Sequence, residues 1–363
     1  MGGLSGGWAE RAVVDRGGQG PRMPRDPSGG GFPPPSPSGV LGFAPIILPP
    51  LRLVPQAGPA AWSGADLAPS DWMLPIGGEE AAEIEAVLAA PDGAALPRLG
   101  PLLAQVSERL ENGRGFVLLR GLPLGRFDTP GGPEAVLRVI GTRLGTALPQ
   151  DGAGSLVVGQ TGEAGPALGA PMRFMADPAD AVVLLCLRQV PTGGSVTLIP
   201  AASLHNALLR TDRAALATLH RGLPQILPGG GEPVPVPVPV FSTAGGIFVS
   251  RCDHATIAEA ALDAEQRAAL AALEAAASAP GLALTIPLHP GDLLFRNPLL
   301  VWKRAGPEDA MDTPEGERRS LLRLWLSTPG ARALPESYRP VFGEISAGAR
   351  RGGVALHATM VGG

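Results

Sequence analysis

Apolar residues recur at helical spacing in five segments of the chain. In residues 79–90, Ile84, Val87 and Leu88 follow one another at i, i+3 and i+4, which predicts a helix with one buried face. Residues 263–279 give the strongest helical signal, because Asp263 can cap the first turn, Gln266 lies three residues on, and a Pro-Gly pair follows the end. The five predicted helices cover residues 79–90, 99–110, 133–144, 212–220 and 263–279.

Short apolar runs, most of them in the second half of the chain, predict β-strands. They cover residues 115–120, 181–187, 195–199, 246–250, 282–288, 292–295 and 320–326. In residues 234–240 proline alternates with valine, and proline has no N–H to donate to a sheet, so this segment is predicted to be an extended edge or a linker. Many short strands, with helices before and between them, indicate an α+β protein built around a β-sandwich or barrel.

The first 44 residues differ from the rest of the chain. Residues 1–44 are rich in Gly, Pro and Ser and show no hydrophobic period, which predicts a disordered tail. No such shift in composition follows, so residues 45–363 are predicted to form a single domain. The start lacks the apolar stretch of a signal peptide, and the run at residues 44–53 is short and broken by proline. We therefore expect a cytoplasmic protein with no membrane contact.

Composition narrows the classes of function. The net charge is −4 and charged residues make up 17% of the chain, without the basic stripe of a nucleic-acid binder. Two cysteines are too few for a disulfide framework. Lys303 is the only lysine among 29 basic residues. A lysine can act as a base or form a Schiff base, although most lysines are ordinary surface ammonium groups.

Several motifs occur in order between residues 60 and 330. They are Trp62-x-Gly64-x-Asp66-Leu67, Gly113-x-Gly115 leading to Arg120-Gly-Leu-Pro123, Phe174 to Arg188, Pro290-Gly291-Asp292 with Asn297, and Arg318-Arg319 to Leu326. Together they resemble the TauD/TfdA-like (taurine dioxygenase) family of Fe(II)/2-oxoglutarate oxygenases. The resemblance implies a double-stranded β-helix, a jelly-roll core with flanking helices and an active site in the mouth of the barrel.

The resemblance also implies which residues stand at the iron site. The family binds iron with His-x-Asp and a later histidine, which leaves positions for 2-oxoglutarate and oxygen. Here Met175 and Lys303 stand at the two histidine positions, and only the carboxylate, Asp177, is retained. A thioether is a poor ligand for iron(II) and an ammonium has no lone pair. None of the five histidines lies two or four residues from Asp177: His205, His220, His254, His289 and His357. We therefore expect neither a metal nor a cofactor.

The resemblance further implies an anion-binding end to the pocket. Arg319 matches the arginine that grips the distal carboxylate of 2-oxoglutarate, and Arg323 matches a second pocket arginine. The hydroxyl residue that the family often places after its Gly-Gly pair is replaced here by Val196. Residues 319, 321 and 323 would share one face of a strand, so both arginines are predicted to line a common cavity. The alternative is a solvated basic face. Met175 is expected to line the pocket.

Asp177 without a metal is a buried charge that needs a partner, and Lys303 is placed to supply it. The pair can be a structural replacement for a lost metal site, or it can be an acid/base couple. Burial lowers the pKa of a lysine and a nearby carboxylate raises it, so the direction of the shift stays open.

These observations are compatible with three functions: two kinds of enzyme and a binding protein. The first is a metal-independent enzyme, of the kind used in secondary metabolism, that isomerises, eliminates or cyclises a carboxylate-bearing small molecule. Lys303 and Asp177 would transfer protons, and Arg319, Arg323 and Met175 would bind the substrate. The second is a non-catalytic protein that binds a small acid. The third is an oxygenase with an irregular metal site, which needs Fe(II) and 2-oxoglutarate. The sequence leaves the substrate and the oligomeric state open.

Overall fold

Two β-sheets face each other in the computed structural model of this chain. The structure describes residues 53–91, 94–161, 173–189, 195–227, 234–305 and 319–354. The predicted tail, residues 1–44, lies outside the described residues. Helices cover the outer face of each sheet, so the protein is built from four layers: helices, larger sheet, smaller sheet, helices.

The strands are short, as the sequence predicts. In chain order they are β1 (Met73–Pro75), β2 (Phe116–Arg120), β3 (Thr146–Ala147), β4 (Val157–Thr161), β5 (Arg173–Met175), β6 (Ala181–Arg188), β7 (Ser195–Pro200), β8 (Leu223–Gln225), β9 (Val236–Val238), β10 (Phe241–Ala244), β11 (Ile247–Ser250), β12 (Leu284–Pro287), β13 (Leu293–Arg296), β14 (Val301–Ala305) and β15 (Ser320–Ser327). The larger sheet has the order β1-β2-β13-β6-β15-β3, with β4 also paired to β15, and the smaller sheet has the order β12-β7-β14-β5.

The helices lie before and between the strands. They are α1 (Pro69–Trp72), α2 (Gly78–Ala89), α3 (Leu99–Glu111), α4 (Gly132–Leu144), α5 (Ala201–Thr211), α6 (Arg213–Arg221), α7 (Ala264–Ala277) and α8 (Arg339–Phe342). The apolar faces of α2, α3 and α4 pack on the outer face of the larger sheet. Those of α5, α6 and α7 pack on the outer face of the smaller sheet. Within the described residues, no helix is long and apolar enough to cross a membrane.

The pattern of the sequence predicts five of these helices and seven of these strands closely. All five predicted helices and all seven predicted strands are present, with ends that differ by one or two residues. The cap of α7 is also confirmed: Asp263 Oδ1 accepts the Gln266 N–H at 2.7 Å, and Gln266 Oε1 accepts the Asp263 N–H at 3.1 Å. The Pro/Val segment contributes β9, which forms a two-stranded ribbon with β8, as expected of an edge. The jelly-roll core with flanking helices is confirmed.

The layer between the two sheets sets the position of the site. We call it the inter-sheet layer, and it contains Leu184, Cys186 and Trp325 from the larger sheet and Leu198 and Ile286 from the smaller one. Side chains alternate along each strand, so every second residue of β14 and β15 faces this layer. Polar residues at those positions therefore meet in the interior, between two apolar sheets.

A buried ion pair fastens the segment after β15 to the larger sheet. Asp180 Oδ1 accepts from Arg351 Nε at 2.7 Å, and both side chains are almost completely buried. Asp180 Oδ2 also accepts from the Ser327 hydroxyl at 3.1 Å and from the Thr328 N–H at 3.0 Å. The carboxylate is thus fully hydrogen-bonded, as the interior requires. Asp180 therefore has a structural role.

Replacing Arg351 by methionine should destabilise the fold strongly, because it leaves the buried Asp180 carboxylate without a counter-charge. We expect a loss of about 3–5 kcal/mol in the free energy of unfolding, measured by urea denaturation. Arg350→Met removes the neighbouring exposed arginine and should change stability little. Equal effects of the two substitutions would show that the Asp180–Arg351 pair does not stabilise the fold.

Candidate functional site

Lys303 lies on the inner face of the smaller sheet. Lys303 is part of β14, and it lies opposite Met175 of β5 on one side and Leu198 of β7 on the other. Leu198 belongs to the inter-sheet layer. Cross-strand partners share a face of the sheet, so Lys303 faces the interior. The side chain is only 6% exposed, which is rare for a lysine. Its neighbour Trp302 packs on the opposite face among the helices, as the alternation predicts.

Asp177 is the centre of a buried hydrogen-bond cluster. It follows β5 by two residues and is 8% exposed. One carboxylate oxygen, Oδ2, accepts from the Arg296 guanidinium. The other, Oδ1, accepts from Trp325 Nε1 at 3.0 Å and from Arg323 Nη1 at 3.3 Å. We call Asp177, Arg296, Arg323 and Trp325 the Asp177 cluster.

The charges of the cluster keep Asp177 ionised. Burial alone would raise the pKa of this carboxyl, but the charges of Arg296, Arg323 and Lys303, together with the Trp325 hydrogen bond, outweigh burial and hold the pKa below its ordinary value. For Arg296 burial is the larger effect, and it lowers the pKa of the guanidinium although Asp177 opposes the shift. Lys303 thus acts on Asp177 through its charge, and the two arginines have the larger effect.

Arg323 is held in place by two further contacts. Its Nε donates to Gln150 Oε1 at 2.7 Å, and Gln150 Nε2 in turn donates to the Arg323 carbonyl at 2.9 Å. The guanidinium carbon lies 4.8 Å from the centre of the Trp325 ring, a cation–π contact. Arg323 and Trp325 therefore share the inner face of β15 and act on the same carboxylate.

Arg319 and Met175 lie at the edges of this arrangement. Arg319 precedes β15 and is 9% exposed. It lies near Cys186, where burial raises the pKa of the thiol to about 11 while the Arg319 charge opposes the shift. Met175 is half-buried and pairs with Lys303. The structure thus brings Asp177, Lys303 and Arg323 together, with Met175 beside Lys303 and Arg319 directly before the strand that carries Arg323.

Sequence reasoning missed Arg296, which contributes most to the charge balance of Asp177. It gave that role to Lys303 because Lys303 aligns with a family histidine. Arg296 ends β13, and its cross-strand partners Phe116 and Val182 both lie in the inter-sheet layer. The only sequence signal is an arginine at the inward position of an otherwise apolar strand.

The histidines form contacts of their own away from Asp177. His254 accepts the Phe174 N–H at 2.9 Å through Nδ1, and its Nε2 lies 2.8 Å from Glu274 Oε1, so both ring nitrogens are engaged. His205 and His220 approach each other at 3.2 Å between their Nε2 atoms, in the helices over the smaller sheet. Burial, and then the neighbouring His205, lower the pKa of His220 to about 4.

These residues do not fit an iron ion. Asp177 stands at the carboxylate position that the resemblance assigns, and its two oxygens accept hydrogen bonds from three donors. The paired residues at the two histidine positions offer a thioether and an ammonium, which are poor or impossible ligands for iron(II). Across the described ranges of the chain, no group of three His, Cys, Asp or Glu side chains could hold a metal ion.

The model of the family "Taurine catabolism dioxygenase TauD, TfdA family" matches residues 79–325. The chain belongs to the TauD/TfdA family. It is 31% identical over 270 residues to the FR-33289 synthase of Streptomyces rubellomurinus (strain ATCC 31215), which covers 67% of this chain and 77% of that protein. The proposed resemblance is therefore confirmed, and the relationship to a synthase supports an enzyme.

Solved structures of other proteins share the fold. An asparagine oxygenase in complex with Fe(II), 2S,3S-3-hydroxyasparagine and succinate matches with a TM-score of 0.53 and 21% identity, over 77% of this chain and 99% of that one. The non-heme iron oxygenase OrfP with Fe, succinate and (3S)-hydroxy-L-Arg matches with a TM-score of 0.52 and 17% identity, over 70% and 94%. These neighbours bind iron and amino-acid ligands. The comparisons thus do not support the expectation of a cofactor-free protein, which now depends on the residues of this chain alone.

Replacing Asp177 by asparagine should destabilise the fold, because the buried Arg296 guanidinium loses its counter-charge. We expect a loss of about 3–5 kcal/mol at neutral pH, measured by urea denaturation. Arg323→Gln should cost less, because the Arg323 side chain is 17% exposed.

The lowered pKa of Asp177 means that the stability this carboxylate contributes is complete above the unfolded-state pKa of 3.8 and is lost as the pH falls further. Stability curves of the wild-type protein and Asp177→Asn should therefore converge below that pH, and curves that stay parallel would contradict the ion cluster.

Wild-type protein incubated with iron(II) under anaerobic conditions and then dialysed should hold far less than one iron per chain. The double variant Met175→His with Lys303→His restores the ligand types of the family and should bind more iron. Adding Arg296→Leu should increase binding again, because Asp177 is released from its strongest partner. Iron is measured by elemental analysis. One iron per wild-type chain would show that the residues around Asp177 do fit an iron ion.

Proposed function

We propose that this protein is a small-molecule enzyme that transfers a proton on a carboxylate-bearing substrate, with Lys303 as the group that takes and returns the proton. The observation that carries the proposal is the burial of Lys303 on the inner face of the smaller sheet, within electrostatic range of Asp177. Ordering an ammonium-bearing chain in an apolar interior is unfavourable, so a position of this kind favours a chemical role.

The lowered pKa of Asp177 divides the roles within the site. A carboxyl group held ionised by three cations is a poor proton donor at neutral pH. Asp177 is therefore proposed as a fixed anion that positions the surrounding cations, and Lys303 alone as the proton-transfer group. This revises the acid/base couple that the sequence suggested.

The proposed step conserves electrons and atoms. In its neutral form Lys303 Nζ takes a proton from a substrate carbon, and the electron pair left behind moves into a new double bond. The ammonium then returns the proton to another carbon, which is an isomerisation, or to a leaving group, which is an elimination. Arg319 and Arg323 are proposed to hold the substrate carboxylate, because a guanidinium fork fits a carboxylate with two parallel hydrogen bonds.

Family membership favours a second candidate, an oxygenase that uses iron and 2-oxoglutarate. The solved neighbours are oxygenases, and two of them were captured with succinate. If the described site residues are supplemented by others to form a metal site, iron would supply oxidative chemistry. The two candidates predict different changes in the same substrate. Proton transfer in D2O incorporates deuterium, whereas oxygenation adds an oxygen atom.

Proton transfer can be tested by incubating the protein in D2O, with a chelator present, with each of four small molecules: L-asparagine, L-arginine, 2-oxoglutarate and succinate. The mass of each small molecule is then measured by mass spectrometry. We expect incorporation of deuterium or loss of water in at least one compound. Both Lys303→Met and Lys303→Arg should abolish it, since arginine keeps the charge but does not deprotonate. The exposed Arg350→Gln should have no effect.

Other results would favour the alternatives. Conversion that survives in both lysine variants would remove Lys303 from the mechanism. Oxygen addition that requires Fe(II) and 2-oxoglutarate would establish the oxygenase instead. Binding by calorimetry without any change in mass, across a wider panel of small acids, would favour a non-catalytic binding protein.

A further inference from the structure

A polar cavity of about 210 Å³ lies where α1, the end of α3 and the start of β2 meet. It is lined by Ser70, Asp71, Arg109, Gly113, Arg114 and Phe116. None of these residues belongs to the Asp177 cluster, and none has a part in the function proposed above. The lining carries two guanidinium groups and one carboxylate, so its formal charge is positive.

The carboxylate in the wall is already paired. Asp71 Oδ1 accepts from Arg114 Nη2 at 3.0 Å, and Oδ2 accepts from the Ala68 N–H at 2.9 Å. Arg114 therefore balances Asp71, and the charge of Arg109 is the surplus. Arg109 Nη1 is buried, yet it has no hydrogen-bond partner among the residues that the structure describes. A buried donor without an acceptor typically costs about 1–3 kcal/mol, which an incoming acceptor would recover.

The end of α3 does not oppose a negative ligand here. Helix C-termini normally repel anions because their last carbonyls are unpaired. In α3 each of these carbonyls accepts a hydrogen bond: Glu108 from the Asn112 N–H, Arg109 from the Gly115 N–H, Leu110 from Asn297 Nδ2 and Glu111 from Arg332. Gly113 permits the tight turn, since a Cβ there would lie 2.7 Å from the Arg109 carbonyl oxygen.

We propose that this cavity binds a phosphate-type oxyanion. Arg109 supplies the uncompensated charge, and the Ser70 hydroxyl supplies a neutral donor. A phosphate carries more negative charge than a carboxylate and has more oxygens to accept from both groups. The lining shares no residue with the Asp177 cluster, so the ligand is proposed to be a second molecule or an effector.

Inorganic phosphate is the probe, titrated into the full chain by calorimetry at constant ionic strength set with chloride. We expect saturable binding. Arg109→Met should weaken it by about tenfold or more, because a charge-assisted hydrogen bond and the surplus charge are lost. Ser70→Ala removes the neutral donor and should weaken binding by a smaller factor. Arg138→Met, which removes an exposed arginine of α4, should leave binding unchanged.

Several results would overturn the proposal. They are no saturable binding in the wild-type protein, equal binding by acetate at the same ionic strength, or phosphate affinity that Arg109→Met and Arg138→Met change alike. Circular dichroism confirms that each variant is folded, and Ser70→Ala keeps the test decisive if Arg109→Met does not fold. The iron and D2O experiments read out different residues, so failure here leaves the proposed function untouched.

Discussion

The charge of one buried carboxylate organises the interior of this protein. Asp177 lies between two apolar sheets, where an uncompensated negative charge would be strongly unfavourable. The guanidinium groups of Arg296 and Arg323 supply the positive charge, with an indole N–H and the ammonium of Lys303 adding to the balance. The packing of the two sheets around Asp177 depends on this balance of charge.

The arginines around Asp177 limit what its carboxylate can do. A metal ion leaves positions open to ligands, whereas a guanidinium donates hydrogen bonds and then stays in place. A carboxylate that these hydrogen bonds occupy is a fixed anion in the interior. Lys303, the only lysine of the chain, is turned toward the same interior by the strand alternation. Membership of the family therefore does not by itself decide the chemistry of this site.

Three buried ion pairs hold the short loop between β5 and β6 at both of its ends. Asp177 is bound to residues of β13 and β15, and Asp180, three residues later, is bound to Arg351 in the last described segment. The loop cannot move without breaking one of these pairs, which are expensive to separate in the interior. This rigidity fixes the carboxylate of Asp177 relative to Lys303. The position of Asp177 therefore depends on the Asp180–Arg351 pair as well as on the Asp177 cluster itself.

Local pattern determined five of the eight helices and seven of the fifteen strands in the described residues, because apolar spacing and the cap of α7 depend only on nearby residues. Alternation along β14 then makes Lys303 and Trp302 face opposite ways, since alternation is a property of the strand alone. The partners of Asp177 depended on the tertiary structure: Arg296 is 119 residues away and lies on another sheet. The cavity beside Arg109 likewise joins a helix, a turn and a strand that only packing brings together. Contacts between distant strands carry no local signal, because sheet order and register are set by the whole core.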